Sequence, residues 1–132
     1  MFQRSMGVWM ALALFCLISY PSLGVGSERQ VLQPTPLSMD FYGSVNGAQP
    51  GDEVTVLTGQ GALCGRFVVE KPGQYGFLHV YGDDRTTEVR EGASVNEPLF
   101  FYLNGAPLTP LSAGQLTWLG DGQRLRVDFL GR

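Results

Sequence analysis

A single histidine, two cysteines and nine basic residues give this 132-residue chain few groups for chemistry. His79 stands alone, so no His-rich metal cluster or His–His pair can be assembled. A Ser–His–Asp triad would have to use His79, and no Gly-x-Ser-x-Gly elbow is present. A Cys64–His79 dyad is conceivable, but no third residue and no oxyanion-stabilising pattern accompany it. Neither G-x-G-x-x-G nor G-x-x-x-x-G-K-[ST] occurs, which removes the usual phosphate-cradling loops. Asp83-Asp84 lacks the spaced oxygen pattern of a calcium loop and reads as a pair of solvated acids. Carboxylates suffice in number for glycoside hydrolysis, yet a domain this small rarely carries the long cleft that such a substrate needs. The expectation is a protein with no catalytic residues, no metal site and no cofactor.

Charge is also sparse, at 16% of residues. The basic groups Arg66, Lys71, Arg85, Arg90, Arg124, Arg126 and Arg132 are scattered and form no run. With a formal net charge of −3, the chain lacks the basic face that nucleic acid requires. A long apolar segment is missing as well. Met6 to Ile18 is apolar for about 13 residues, short of the roughly 20 needed to span a bilayer.

That short apolar stretch follows Arg4 and precedes Pro21, Gly24 and Gly26, the three-part layout of a secretory signal over residues 1–26. Cleavage after Gly24 or after Gly26 fits equally well. Phe15 sits where a lipoprotein signal requires a small residue, which argues against lipidation of Cys16. The expected location is outside the cytoplasm: periplasm, cell surface or medium. Cys16 would leave with the signal, so Cys64 becomes an odd thiol with no intrachain partner. The plain reading of Cys64 is a small buried hydrophobe; an intermolecular bridge is the sharper one.

What is abundant is glycine, 18 residues, with 8 prolines. This suits short strands and tight turns. Residues 27–38 hold Pro34 and Pro36, lack periodicity and read as an extended lead-in. From Met39 onward, alternation takes over. Met39, Phe41, Gly43 and Val45 share one parity, as do Val54, Val56 and Thr58. Leu63, Gly65, Phe67 and Val69 form a third set, which puts Cys64 on the polar side unless a bulge at Gly65 reverses it. Gln74 to Gly82 is apolar on both parities, as in a central strand covered on both faces. Gly82 to Gly92 reads as the main surface loop. Pro98 to Leu103 and Gln115 to Leu119 are further strands, and the last has Leu125, Val127 and Phe129 inward with Arg124, Arg126 and Asp128 outward. Asn46-Gly47, Pro50-Gly51, Gly59 to Gly61, Pro72-Gly73, Asn104-Gly105 and Asp121-Gly122 mark the reversals. About seven strands at this spacing predict an all-β fold: a single antiparallel β-sandwich over residues 39–132.

Phe41-Tyr42-Gly43, Asn46-Gly47, Pro50-Gly51, Val54, Cys64-Gly65, Gly73-Gln74-Tyr75-Gly76, Asp83-Asp84, Glu91-Gly92 and Phe101-Tyr102-Leu103-Asn104-Gly105 occur in that order. Together they resemble the transthyretin-like, carboxypeptidase-regulatory-like sandwich modules of exported bacterial and archaeal surface proteins, over about Met39 to Gly105. Ala93 to Pro98 departs from that pattern, standing where such modules have a short acidic turn. The resemblance implies fold and location, not chemistry.

Recognition is the function class left open. Tyr42, Tyr75 and Trp118 are the candidate binding residues, because strand parity allows them an outer face where rings stack on sugars or anchor a protein. The plainer alternative places these aromatics in the interior. The expected partner is another envelope protein or a glycan. A structural subunit of a surface layer or filament is the rival, joined through sheet edges or with the lead-in as a donor strand.

Overall fold

The computed structural model describes residues 30–112 and 114–131. The signal segment, Cys16 and the first residues of the lead-in lie outside them. Among the described residues the fold is all-β, with no helix. The strands are β1 (Ser38–Ser44), β2 (Glu53–Thr58), β3 (Leu63–Val68), β4 (Gln74–Tyr81), β5 (Leu99–Leu103), β6 (Ala106–Pro107), β7 (Thr109–Pro110), β8 (Arg124–Arg126) and β9 (Phe129–Leu130). Seven of them form one sheet in the order β6-β5-β2-β3-β4-β1-β8, and β7 pairs with β9 in a second, two-stranded sheet.

The expectation of wholly antiparallel strands is corrected: β8 runs parallel to β1, so the larger sheet is mixed. A parallel neighbour needs a long return path rather than a hairpin. The chain between β1 and β8, residues 45–123, supplies it, ending through β6, β7 and the segment 115–119. That segment is not a regular strand. Its one β-bridge is Pro98 to Thr117, beside which Leu99 N–H donates to the Leu116 carbonyl at 2.8 Å.

Local chemistry explains most of the strands. In β2, Val54, Val56 and Thr58 are buried and the alternate residues partly exposed, as period two requires. Met39, Phe41 and Val45 are fully buried around β1. The β5–β6 turn is made by Asn104 (φ 49°) and Gly105 (φ 87°), two consecutive left-handed residues that match the twist of the flanking strands. Asn46-Gly47 behaves differently. Strands β1 and β2 are separated by β4 and β3, so this pair begins a wider loop rather than a hairpin. Val45 N–H donates to the Gly73 carbonyl and Gly73 N–H to the Ala48 carbonyl, which ties that loop across the β3–β4 turn.

Two bulges set the faces. Leu57 pairs with Leu63 and Val56 with Gly65, so Cys64 is the inserted residue of β3. The insertion turns it inward, where its Sγ lies 3.5 Å from the Val56 carbonyl. On the other side of the sheet, Phe41 pairs with Leu78 but Gly43 with Tyr75, which leaves Gly76 and Phe77 opposite Tyr42. Parity in β4 flips there. Tyr75, Leu78 and Val80 are buried while Phe77 and His79 are exposed. The expectation that β4 is covered on both faces is therefore wrong: the bulge sends one apolar ring outward.

The core joins both sheets. Phe101 of β5 lies 5.1 Å from Phe41 of β1 and 4.9 Å from Phe129 of β9, ring centre to ring centre. Gly82 lies against the Trp118 ring so closely that a Cβ there would overlap it. The lead-in docks on its own domain. Gln30 accepts from Leu63 N–H at 2.9 Å, Thr35 Oγ1 donates to the Gly82 carbonyl at 2.7 Å, and Gly82 N–H donates to the Leu37 carbonyl at 2.9 Å.

Burial raises the Cys64 thiol from 9.0 to about 12. It also raises the Tyr75 hydroxyl, by desolvation first and the Asp128 carboxylate second. The folded chain thus holds protons that the unfolded chain releases in alkali. Both contributions are intact below about pH 9 and fall as pH rises. For Cys64 alone the loss is about 1.4 kcal/mol per pH unit between the unfolded and folded values. Urea titrations from pH 8 to 11 are expected to show this decline, less steep in Cys64→Ala.

Candidate functional site

The outer surface of β4, β1 and β8 carries a linked set of outward side chains. Antiparallel pairing places Asp40 beside His79, and parallel pairing places Asp40 beside Arg124 and Tyr42 beside Arg126. Two rows result, each crossing three strands. In the first, His79 Nδ1 lies 2.6 Å from Asp40 Oδ1, and the Arg124 guanidinium reaches Asp40 Oδ2 at 3.9 Å. In the second, Tyr42 meets Phe77 edge-on at 5.3 Å, and Arg124 reaches across from the first row, its Cζ 4.5 Å from the centre of the Phe77 ring and within cation–π range.

A third row closes this surface. Ser44 pairs with Gln74, and Ser44 N–H donates to Asp128 Oδ1 at 2.9 Å. Arg126 Nε donates to the same oxygen at 3.3 Å. These bonds, the Ser44 amide foremost, hold the Asp128 carboxyl below the usual carboxylate range. Between the second and third rows lies a groove of about 380 Å³ lined by Tyr42, Ser44, Gln74, Gly76, Phe77 and Arg126. Gly76 (φ 115°) is what allows it: a Cβ at this position would strike the Cβ and Cα of Tyr42. A second hollow of about 290 Å³, between β5 and the β7–β9 pair, is bordered by Phe101, Leu108, Leu116 and Phe129.

The three candidate residues do not converge. Tyr75 is 4% exposed and donates its hydroxyl to the Val127 carbonyl at 2.7 Å. Trp118 is 3% exposed and donates Nε1–H to the Val80 carbonyl at 2.9 Å. Both are core residues with satisfied polar tips and do not reach the outer surface. Tyr42 alone is partly exposed, and its companion is Phe77, 48% exposed. Strand parity missed Phe77, Arg124 and Arg126 as a group, because the β4 bulge and the β1–β8 pairing bring them together. His79 lies on this outer surface.

His79 and Asp40 have the spacing of a base and its orienting carboxylate. The dyad with Cys64 is ruled out by placement, since Cys64 is in the core and His79 projects outward. Among the described residues, no three His, Cys, Asp or Glu side chains gather as a metal site. No helix among them is long and apolar enough to cross a membrane. No protein-family model, curated protein or solved structure matches this chain.

Exposed ion pairs contribute about 0–1 kcal/mol each. Asp40→Asn and His79→Ala are therefore expected to leave the urea midpoint nearly unchanged. A drop of several kcal/mol would instead assign the Asp40–His79 pair a structural role.

Proposed function

We propose that this chain is an exported, non-catalytic binding module whose recognition surface is the outer face of β4, β1 and β8. The observation that carries it is Phe77: a large ring, half exposed, held between Tyr42 and Arg124 on an otherwise polar surface. Aromatic and arginine side chains in such clusters dominate recognition surfaces, because they combine wide apolar contact with directed donors. The Arg4–Gly26 leader pattern supports an extracytoplasmic location. In this reading the facing halves of the curled seven-stranded sheet are the layers of a transthyretin-like or Ig-like sandwich, with the phenylalanine cluster between them.

The edges support a face over strand addition. Strand β6 is two residues long and ends in Pro107, and β8 is three residues long. Short, proline-bearing edges template added strands poorly. The lead-in is engaged with its own domain, which disfavours its use as a donor strand in a filament.

Capture of a partner from the native envelope by immobilised protein tests the proposal. Wild type and Val68→Ser, altered at an exposed position on β3, are expected to retain the same partner. Phe77→Ser and Arg124→Ala are expected to lose it roughly tenfold or more. Equal capture by all four proteins would exclude this face.

A further inference from the structure

We infer that the groove between Tyr42, Phe77 and Arg126 binds a sugar ring of an envelope glycan. This rests on the reading of the β4–β1–β8 face as the recognition surface and names the ligand for it. The groove has two unlike sides. One is aromatic, Tyr42 against Phe77. The other is polar, with the Gln74 amide, the Ser44 hydroxyl and the Arg126 guanidinium. Gly76 adds no side chain between them.

A pyranose has the matching pattern. Its C–H face is apolar and packs on rings, and its hydroxyl rim both donates and accepts. The Gln74 amide also donates and accepts, which suits hydroxyls better than an ion of one sign, while the Ser44 hydroxyl is shared with Asp128. Arg126 donates only, and its Nε is engaged by Asp128, which leaves the terminal amino groups for acceptor oxygens. Other ligand classes fit worse. A lone phosphate or carboxylate would leave the aromatic side unused and meet Asp128 beside Arg126. A purely aliphatic ligand would strip water from Gln74, Ser44 and Arg126 without replacing their hydrogen bonds. The volume of about 380 Å³ lies near the lower end of small-molecule sites, roughly 300–1,000 Å³, and suits a short stretch of glycan rather than a long one.

The test divides the native envelope into two probes: a protease-digested, solvent-extracted glycan fraction, and the detergent-solubilised protein fraction freed of glycan. Each is offered to the folded wild-type protein, to Phe77→Ser, to Arg126→Gln and to Val68→Ser. Backbone amide shifts of Ser44, Gln74 and Gly76 report occupancy of the groove. The expected result is binding of the glycan fraction, with shifts confined to those amides. Phe77→Ser and Arg126→Gln would each weaken it roughly tenfold, while Val68→Ser would not. Folding of each variant is checked by its remaining amide pattern. If the protein fraction alone binds and still depends on Phe77, the sugar assignment falls and the recognition surface stands. If the glycan binds without shifting these amides, the groove is the wrong site. If neither fraction binds, both the ligand and the surface are wrong.

Discussion

The contact between Phe41 and Phe101 constrains everything else in this fold. The two rings belong to β1 and β5, four strand steps apart in the sheet order. In a flat sheet that is about 19 Å at the usual strand spacing. Their centroids are 5.1 Å apart, so the sheet must curl until its inner surface closes on itself. Phe129 joins the same cluster from the two-stranded sheet and packs at a tilt against both Phe101 and Tyr75. Burying rings of this size is the dominant favourable term available to a domain of about a hundred residues. The Tyr75 hydroxyl, bonded to the Val127 carbonyl, secures the chain where it passes from β8 towards β9.

Curling gives the sheet an inside and an outside, and the β4 bulge decides what the outside carries. With regular pairing, position 77 would keep the parity of Tyr75 and point inward. One inserted residue opposite Tyr42 reverses this, and Gly76 accommodates the tight approach. The same feature therefore exposes Phe77, opens the groove beside it and places the ring under Arg124. Strand β8 contributes arginines because it joins β1 in parallel, bringing Arg124 and Arg126 level with Asp40 and Tyr42. Core geometry and surface chemistry are linked through this one strand trio.

Much of the interior was legible in the residues. Alternation in Met39 to Val45 and in Val54 to Thr58 reports local burial, and local burial is what period two encodes. The parities of the last segment also hold: Val127 and Phe129 are buried while Arg124 and Arg126 are exposed. Three things were not legible, each for a physical reason. Parallel pairing of β8 depends on a partner some eighty residues away, which no local pattern records. The split of the last strand into β8 and β9 lies beside Gly43, where the Val127 carbonyl takes the space a Cβ would need, a long-range approach that local alternation does not record. The site itself depended on a bulge. Cys64-Gly65 was open to one reading or the other, and Gly76 carried no sign that separates it from an ordinary strand glycine. Strand parity allowed Tyr75 and Trp118 an outer face, yet each has its polar tip on a backbone carbonyl inside and is buried without an unmet hydrogen bond.

The curl is the claim on which both the core and the outer face depend, and ring-to-ring proximity reports it directly. Nuclear Overhauser contacts between the ring protons of Phe41 and Phe101, in protein labelled only at phenylalanine, measure that proximity. The account predicts strong contacts for Phe41–Phe101 and for Phe101–Phe129. Their absence in a folded sample with intact β-sheet signals would mean that the sheet is open and that this account of the fold is wrong.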